Sequence, residues 1–269
     1  MTSLDRFYIG GTWVAPVSTA TMPVMNPATD SRIGTLSLGN QADVDRAVAA
    51  ARTAFETFSR TPRAARLALL ERLLEGTRAR REDLAQAMTA EMGAPITMSP
   101  EAQADSGTGH LEALIAALTV QEAREVLANG DLLIREPIGV CGLITPWNWP
   151  INQIALKVIP ALAVGSTCIL KPSEHTPLSA NIYAEIVHEA GYPPGAFNLV
   201  HGDGPTVGAA LSRHPDVDMI SFTGSTRAGS QVTKDAADTV KRVTLELGSK
   251  SPNLVFADCD LERRVAESV

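Results

Sequence analysis

Cysteine is scarce in this sequence, and its three copies are far apart. Cys141, Cys168 and Cys259 are odd in number and form no C-x-x-C pair. This pattern excludes a disulfide framework and a zinc ribbon, and it is typical of a reducing compartment. The N-terminal residues MTSLDRFYIGG lack a basic segment followed by an apolar one, so we predict no secretory signal and expect a cytoplasmic protein.

Long apolar runs and basic runs are also missing. Lys157, Pro160 and Gly165 interrupt the apolar stretches well before the ~20 residues that a membrane span needs. Lys and Arg number 23 against 30 Asp and Glu, which gives a net charge of −7. An acidic chain without a basic face is a poor partner for nucleic acid or an anionic membrane. The five histidines show no metal-binding spacing, so we predict no metal site.

The usual dinucleotide signature, G-x-G-x-x-G, is absent as well. The nearest matches are GDGPTVG from Gly202 to Gly208, whose third glycine is one residue late, and GSTRAG from Gly224 to Gly229. The second lacks the Lys-Ser/Thr of a phosphate-binding P-loop. Either segment could direct backbone N–H groups at a phosphate, but taken alone each reads as a simple turn from strand to helix.

Periodicity divides the chain into two parts. Residues 1–120 are mainly helical, apart from a turn-rich start. We expect short strands at 7–14 and 26–36, then one helix capped by Asn40, one from Thr61 to Gly93 with a weak point at Gly76, and one over 101–118. After Gly130, short apolar runs alternate with helical stretches. Strands are predicted at 138–145, 167–171, 197–200, 219–222 and 243–245, and helices at 150–164, 177–190, 205–213 and 226–238.

This alternation predicts an α/β fold with a parallel sheet, whose strands end at one common edge where ligands bind. Four motifs stand at predicted strand ends: TPWNWP at 145–150, KPSE at 171–174, FTGS at 222–225 and LELGSK at 245–250. In this order and spacing they resemble the aldehyde dehydrogenases, and the resemblance covers essentially the whole chain. It implies a Rossmann-like cofactor domain at 140–249 with a helical N-terminal part at 1–120.

The resemblance also implies NAD as the cofactor and assigns residues to it. Lys171 and Glu174 resemble the pair that holds the adenosine ribose, and a carboxylate there would repel a 2′-phosphate, which favours NAD over NADP. The alternative for this pair is a solvated surface ion pair. Ser225 resembles the pyrophosphate contact at a helix N-terminus. The remaining cofactor residues implied are Ile144, Thr145, Pro146, Trp147, Asn148, Ser173, Gly204, Gly208, Phe222, Gly224 and Leu247. For Phe222, a simple core position explains the residue equally well.

Two residues are implied in the chemistry. Asn148 offers a neutral N–H for an oxyanion on a carbonyl carbon under attack, the alternative being a turn cap. Glu246, between Leu245 and Leu247, is predicted to be desolvated and to act as a general base, the alternative being a salt bridge to Lys250. The family has a second glycine where this chain has Ser249.

The family's nucleophile, a cysteine thiolate beyond the glutamate motif, has no counterpart among the three cysteines. Cys141 and Cys168 are predicted to be buried in strands, and Cys259 lies between two acidic residues that disfavour a thiolate. The predicted helix from Asp258 to Val269 runs on without a cap, so we expect the N-terminal portion of an enzyme whose catalytic domain, starting at 250–269, is largely absent.

In the complete enzyme the resemblance implies oxidation of a small-molecule aldehyde to a carboxylic acid. It also implies a homo-oligomer, a dimer or tetramer, formed through an arm at 121–139. The alternative is a non-catalytic half-fold that binds a dinucleotide or another protein, since the chain lacks the nucleophile. Aggregation of the isolated chain through an exposed sheet edge would favour the N-terminal portion of an enzyme over this half-fold.

Overall fold

The computed structural model describes residues 2–268. Met1 and Val269, the last position of the predicted C-terminal apolar stripe, lie outside this range. The chain opens with five short strands: β1 (Thr2–Leu4), β2 (Phe7–Ile9), β3 (Thr12–Val14), β4 (Thr21–Asn26) and β5 (Ser31–Ser37). The strand region predicted at 7–14 consists of β2 and β3, which pair as an antiparallel hairpin. The strand region predicted at 26–36 holds the end of β4 and most of β5, because 27–30 form the turn between them.

Four helices follow: α1 (Gln41–Phe58), α2 (Arg63–Ala79), α3 (Arg81–Met92) and α4 (Asp105–Val120). The predicted start at Asn40 is confirmed: its side chain accepts from the Asp43 amide, and the Asp43 carboxylate accepts from the Asn40 amide in return. The predicted single helix up to Gly93 is wrong. It breaks at Arg80, whose ψ of 15° is not helical. The helix predicted at 101–118 is α4, preceded by a π-helical turn over Ser99–Ala104.

Gly76 does not interrupt its helix, although its low helix propensity predicts a weak point there. It lies inside α2, where the packing against a neighbouring helix requires a glycine. A Cβ at this position would lie 2.7 Å from Cγ2 of Ile186. Ile186 is fully buried, and its branched side chain has no room to move away. The glycine therefore lets α2 approach the helix that carries Ile186.

A small antiparallel hairpin, β6 (Arg124–Val126) and β7 (Leu132–Ile134), separates the two halves of the chain, and its residues are exposed. The alternating region then follows the prediction closely. Its elements are β8 (Val140–Ile144), α5 (Pro150–Val164), β9 (Thr167–Lys171), α6 (Pro177–Glu189), β10 (Phe197–Leu199), α7 (Ala209–Arg213), β11 (Met219–Gly224), α8 (Thr226–Ala236) and β12 (Arg242–Leu247). A π-helical turn over Gly204–Gly208 leads into α7, and α9 (Leu261–Ser268) follows a segment without helix or strand at 248–260.

The main sheet has the order β12-β11-β8-β9-β10-β2-β3. Its first five strands are parallel, as predicted, and the β2–β3 hairpin extends it with antiparallel pairing. One core packs α2 to α6 on one face, and a second packs α1, α7 and α8 on the other. The strand order reverses between β8 and β11, which is where doubly wound sheets open a crevice for a ligand. No helix among residues 2–268 is both long and apolar enough to cross a membrane.

We predict that Gly76→Ala destabilises the protein although alanine is the better helix former. The gain in helix propensity, up to ~1 kcal/mol, is outweighed by overpacking against Ile186, which costs about 1–3 kcal/mol. Gly109→Ala in α4 is the matched control, since a Cβ there meets nothing within 4 Å and should stabilise the protein. Urea unfolding measures both changes. Equal stabilisation by the two substitutions would contradict the packing role of Gly76.

Candidate active site

The four strand-end motifs meet in one row across the sheet. Lys171 of β9 pairs in register with Ile144 of β8, Ile144 pairs with Phe222 of β11, and Phe222 pairs with Leu245 of β12. Adjacent strands lie about 4.8 Å apart, so β8 and β12 are separated by roughly 10 Å at this edge. Segments that are distant in sequence therefore place their polar residues along one short line.

A cleft of about 430 Å³ opens beside this row, between the Gly204–Gly208 turn and α8. Four of the predicted cofactor residues line it: Ile144, Gly204, Gly208 and Phe222. A Cβ on Gly208 would meet only ordinary contacts, 4.0 Å from the side chains of Ile144 and Lys171. The glycine is thus not needed for packing within the protein, and the space it leaves open belongs to the cleft.

Lys171 and Glu174 form an ion pair, with 3.1 Å between Nζ and Oε2. Only 3 % of the Lys171 side chain is exposed, so the alternative of a solvated surface pair does not describe it. Its ammonium also donates to the Pro172 carbonyl at 2.8 Å. Burial lowers the pKa of Lys171, while the charge of Glu174 opposes that shift. Glu174 keeps 24 % of its side chain exposed and so remains open to a ligand.

The N-terminus of α8 starts directly at the end of β11. Ser225 is its N-cap, and the Ser225 hydroxyl accepts from the Ala228 amide at 3.2 Å. Gly224 lies under the Phe222 ring, where a Cβ would come within 2.6 Å of the ring. The first backbone N–H groups of α8 point out of the helix end, which gives this position the partial positive charge that attracts an anion.

Two buried hydroxyls at this edge have no hydrogen-bond partner among the described residues. They are Oγ1 of Thr145, directly after β8, and Oγ1 of Thr223, within β11. Buried polar groups are normally satisfied, so unpaired hydroxyls at a ligand edge mark places where a ligand can supply the partner. Thr145 is one of the predicted cofactor residues, and Thr223 is one that the sequence analysis missed.

The prediction that Glu246 is desolvated is wrong, because its side chain is exposed. Strand alternation explains the error: Leu245 packs into the core beneath α8, and Glu246 points to the opposite face of the edge strand β12. There it shares a recess of about 290 Å³ with Lys157 of α5. Its apolar sequence neighbours therefore do not surround it in the folded chain.

Lys157 is a site residue that the sequence analysis did not identify. It is buried and donates from Nζ to the Ser221 hydroxyl at 2.9 Å. Burial lowers its pKa to about 8, and the Glu246 carboxylate acts in the opposite direction. Lys157 is the only charged residue of α5, and this was the available signal.

The loop after β8 carries the other predicted residues. Asn148 is exposed and forms no hydrogen bond with the described residues, so it is not the turn cap of the alternative interpretation. Trp147 is 54 % exposed and lines a different recess, shared with β4, His175 and Glu91. Pro146 is partly buried. These residues stay predictions as cofactor contacts.

Ser173 and Leu247 contact elements that border the site. Ser173 is buried, and its hydroxyl accepts from the His175 amide at 3.3 Å, which shapes the loop of the Lys171–Glu174 pair. Leu247 is 36 % exposed and packs against Gly229 of α8, where a Cβ would come within 2.5 Å of it. Neither residue lines the cleft beside α8.

Glu91 of α3 is a second residue that sequence reasoning missed. Its buried carboxylate accepts from the backbone amides of Leu178 and Ser179, at 2.6 and 3.0 Å, and from the Ser179 hydroxyl. It therefore caps α6 from a neighbouring helix, just after the loop of the Lys171–Glu174 pair. Burial raises the pKa of Glu91 to about 7, against three hydrogen bonds that favour the charged form. No local sequence pattern links positions 91 and 178.

The cysteines agree with the predicted burial. Cys141 and Cys168 are buried partners on β8 and β9, and burial raises the pKa of Cys141 to about 12. Cys259 is partly exposed in the segment before α9. Among residues 2–268, no group of three or more His, Cys, Asp or Glu residues could hold a metal ion.

Comparison with known proteins gives one consistent match. The model of the aldehyde dehydrogenase family matches residues 13–269. A 3-succinoylsemialdehyde-pyridine dehydrogenase of a Pseudomonas species is 51 % identical over 100 % of this chain and 56 % of its own length. A putative aldehyde dehydrogenase of Staphylococcus aureus is 47 % identical over 97 % of this chain and 55 % of its own. The chain thus spans about half the length of the curated relatives it matches.

Solved structures agree with this match. An aldehyde dehydrogenase from Bartonella henselae superposes with a TM-score of 0.96 at 47 % identity, covering 99 % of this chain and 56 % of its own. Aldehyde dehydrogenase C of Pseudomonas syringae, a cysteine-to-alanine mutant in complex with NAD+ and octanal, gives 0.95 at 50 % identity, covering 98 % and 54 %. The Rossmann-like fold predicted for this chain is therefore confirmed.

We predict that the stabilisation provided by Glu91 increases as the pH falls. A carboxyl whose pKa is about 7 when folded, against 4.5 for an unperturbed glutamate, binds its proton more tightly in the native protein. The contribution is therefore fully present below pH 4.5 and is lost as the pH rises through 7, on the order of 3 kcal/mol in all. Glu91→Gln removes this dependence.

The measurement is urea unfolding of the wild type and Glu91→Gln between pH 5 and 8. The stability difference should move in favour of the wild type toward pH 5. The exposed Glu75→Gln in α2 is the matched control and should give a difference that barely changes with pH. A Glu91→Gln difference as flat as that of the control would contradict the prediction.

Proposed function

The chain belongs to the aldehyde dehydrogenase family, and from this we propose that it carries the NAD-binding part of an enzyme that oxidises an aldehyde to a carboxylic acid. The observation that carries the proposal is the row Lys171, Ile144, Phe222 and Leu245 beside an open, largely apolar cleft. A planar base suits such a cleft, and polar residues along the row can fix the rest of a dinucleotide.

The proposal assigns each part of NAD to a part of this edge. The adenine would enter the cleft over Ile144 and Gly208, and its ribose hydroxyls would meet Lys171 and Glu174. The pyrophosphate would lie at the N-terminus of α8, where Ser225 and the free N–H groups favour an anion. The unpaired hydroxyls of Thr145 and Thr223 and the space above Gly208 support this fit.

We further propose NAD rather than NADP. Glu174 is part-exposed and its carboxylate can accept hydrogen bonds from two ribose hydroxyls, but it would repel a 2′-phosphate. Lys171 is already engaged by Glu174 and by the Pro172 carbonyl, so little of its charge is left for a phosphate. The NAD+ complex of the Pseudomonas syringae enzyme supports this preference.

In the chemistry, the bound NAD would supply a hydride acceptor. Asn148, exposed and without a hydrogen-bond partner among residues 2–268, can donate its side-chain N–H to the oxyanion that forms on the aldehyde carbon. A cysteine thiolate of the complete enzyme would add to the aldehyde carbon, and the thiohemiacetal would become a thioester as its hydride passes to NAD. Glu246 can take a proton from the water that hydrolyses this thioester to the carboxylic acid and the free thiol. Lys157 lines the same recess as Glu246, so its ammonium group can attract and orient the carboxylate there.

We assign the nucleophile to a cysteine outside residues 1–269. Cys141 and Cys168 are buried within strands, and burial raises the pKa of both. Cys259 lies in the segment before α9, beyond the strand-end row, between two acidic residues. The exposure of Glu246 supports the same assignment. Protein outside residues 1–269 that carries the cysteine would also cover Glu246 and exclude bulk water from it. On this view the activity belongs to the complete enzyme, and residues 250–269 begin its catalytic domain. The free cysteines are consistent with a cytoplasmic location.

We predict that the protein binds NAD and that Gly208→Leu weakens binding at least roughly tenfold, which corresponds to ~1.4 kcal/mol. The leucine side chain would fill the space over Ile144 and Lys171 that the adenine needs. The backbone at Gly208 is helical, with φ −62° and ψ −45°, so the fold tolerates leucine there. Isothermal titration calorimetry measures the affinity, and circular dichroism checks the fold.

Gly109→Leu is the matched control, because Gly109 is a helical glycine with open space around it on the opposite face of the sheet. It should leave NAD affinity unchanged. A Gly208→Leu variant that binds as tightly as the wild type would contradict the assignment of the adenine. A wild type without any affinity for NAD would contradict the proposed function and favour a half-fold that serves only protein interaction.

We also propose that the β6–β7 hairpin, within the segment 121–139, pairs copies of the chain in a homo-oligomer. Val126, Leu132 and Ile134 are 72 %, 56 % and 48 % exposed. The hairpin pairs with no other described strand, and an isolated two-stranded hairpin is only marginally stable in water. Apolar side chains on such an element gain stability when a second copy covers them.

We predict that Ile134→Lys shifts the protein from an oligomer toward the monomer. The lysine places a charge in the apolar contact and must be desolvated when two copies associate. Sedimentation velocity across a concentration series measures the change. Val240→Lys, at an 89 % exposed valine outside the hairpin, is the matched control and should leave the oligomer intact. A monomeric wild type would contradict the proposal.

A further inference from the structure

The cleft beside α8 is apolar along most of its wall but ends in a polar cluster. Arg213, Gln231 and Asp235 line this end. Only 7 % of the Asp235 side chain is exposed. Its Oδ1 accepts from Arg213 through Nε at 3.0 Å and Nη2 at 2.8 Å, and from Nε2 of Gln231 at 2.9 Å. Its Oδ2 accepts no hydrogen bond from the described residues.

This arrangement leaves one oxygen of a nearly buried carboxylate without a donor. The guanidinium of Arg213 balances the charge, but all three hydrogen bonds fall on Oδ1. Oδ2 is therefore accessible from the cleft, and a ligand that brings a donor can form a charge-assisted hydrogen bond with it in place of water. A single acceptor in an apolar cleft is the pattern by which small-molecule sites fix the orientation of a flat ligand.

Because Oδ2 of Asp235 is a charged acceptor, only some ligand groups can bind to it. A phosphate or carboxylate would be repelled by the carboxylate, and a carbonyl oxygen would meet another acceptor. A neutral amino group on an aromatic ring can donate to Oδ2 while the ring packs against the apolar wall formed by Phe222 and Val232. The exocyclic amino group of adenine has these properties.

We propose that Asp235 accepts a hydrogen bond from the exocyclic amino group of the adenine and thereby selects adenine over hypoxanthine dinucleotides. This inference rests on the proposed function, because it takes the dinucleotide to be bound in this cleft. Arg213 and Gln231 are positioning residues: they hold Oδ1 and turn Oδ2 toward the cleft.

The test compares two ligands that differ only at the C6–N1 edge of the purine. NAD carries the amino group beside an N1 acceptor, and nicotinamide hypoxanthine dinucleotide carries a carbonyl oxygen beside an N1–H group. By isothermal titration calorimetry the wild type should bind the hypoxanthine dinucleotide roughly tenfold or more weakly, since a hydrogen bond to a charged acceptor is lost and two acceptors face each other. Equal affinities would overturn the proposal, while NAD binding itself would leave the proposed function standing.

Asp235→Asn makes the test sharper. The amide oxygen of asparagine can keep the bonds to Arg213 and Gln231, and its NH₂ group would then face the cleft as a donor. This variant should lose the preference for NAD or invert it toward the hypoxanthine dinucleotide. Asp238→Asn, which makes the same change at an exposed acid just beyond α8, should keep the wild-type ratio.

The outcomes distinguish failure of the proposed NAD binding from failure of the role assigned to Asp235. No affinity of the wild type for either dinucleotide would overturn the proposed function itself. An Asp235→Asn variant that is folded by circular dichroism and keeps the wild-type ratio would overturn the role of Asp235. Should that variant fail to fold, the ratio measured on the wild type decides alone.

Discussion

The register of the parallel strands is the constraint on which the rest of the structure depends. Ile144 pairs with Lys171 on one side and with Phe222 on the other, so three motifs end level with one another. A slip of one residue would turn every side chain of a strand to the opposite face. The two cores prevent this, because Leu143 belongs to one and Ile144 to the other. The packing of the sheet thus fixes the geometry of the site.

The alternating half of the chain could be predicted almost residue by residue, and the reasons are local. Helix α5 begins at Pro150 and ends before Gly165, and strand β9 is a short run of buried residues between Gly165 and Pro172. Proline and glycine mark such boundaries through their own backbone preferences. The N-terminal half was harder, because Arg80 breaks a helix without any such signal. Gly76, which carries the signal, stays helical because of its contact with Ile186.

The contacts of a site residue could be predicted when both partners belong to one motif. They could not be predicted when the partners come from distant segments of the chain. Lys171 and Glu174 are three residues apart and form an ion pair, and their role as ribose contacts stays a prediction. Glu91 reaches the N-terminus of α6 across more than eighty residues, and Lys157 meets Glu246 from another element. The wrong environment predicted for Glu246 has the same origin. Sequence neighbours of a strand residue lie on the opposite face, so they do not describe its surroundings.

Four carboxylates around the sheet edge have different surroundings, and these give the same chemical group different properties. Glu91 is buried among backbone donors, which makes it a structural cap with a raised pKa. Glu174 is held by a buried lysine and keeps one side open to solvent. Asp235 is held through one oxygen by Arg213, which leaves the other oxygen as a fixed acceptor. Glu246 is exposed on the edge strand and shares a recess with Lys157. Because burial and partners differ in each case, an exchange of these residues would not preserve their roles, although the side chains are almost identical.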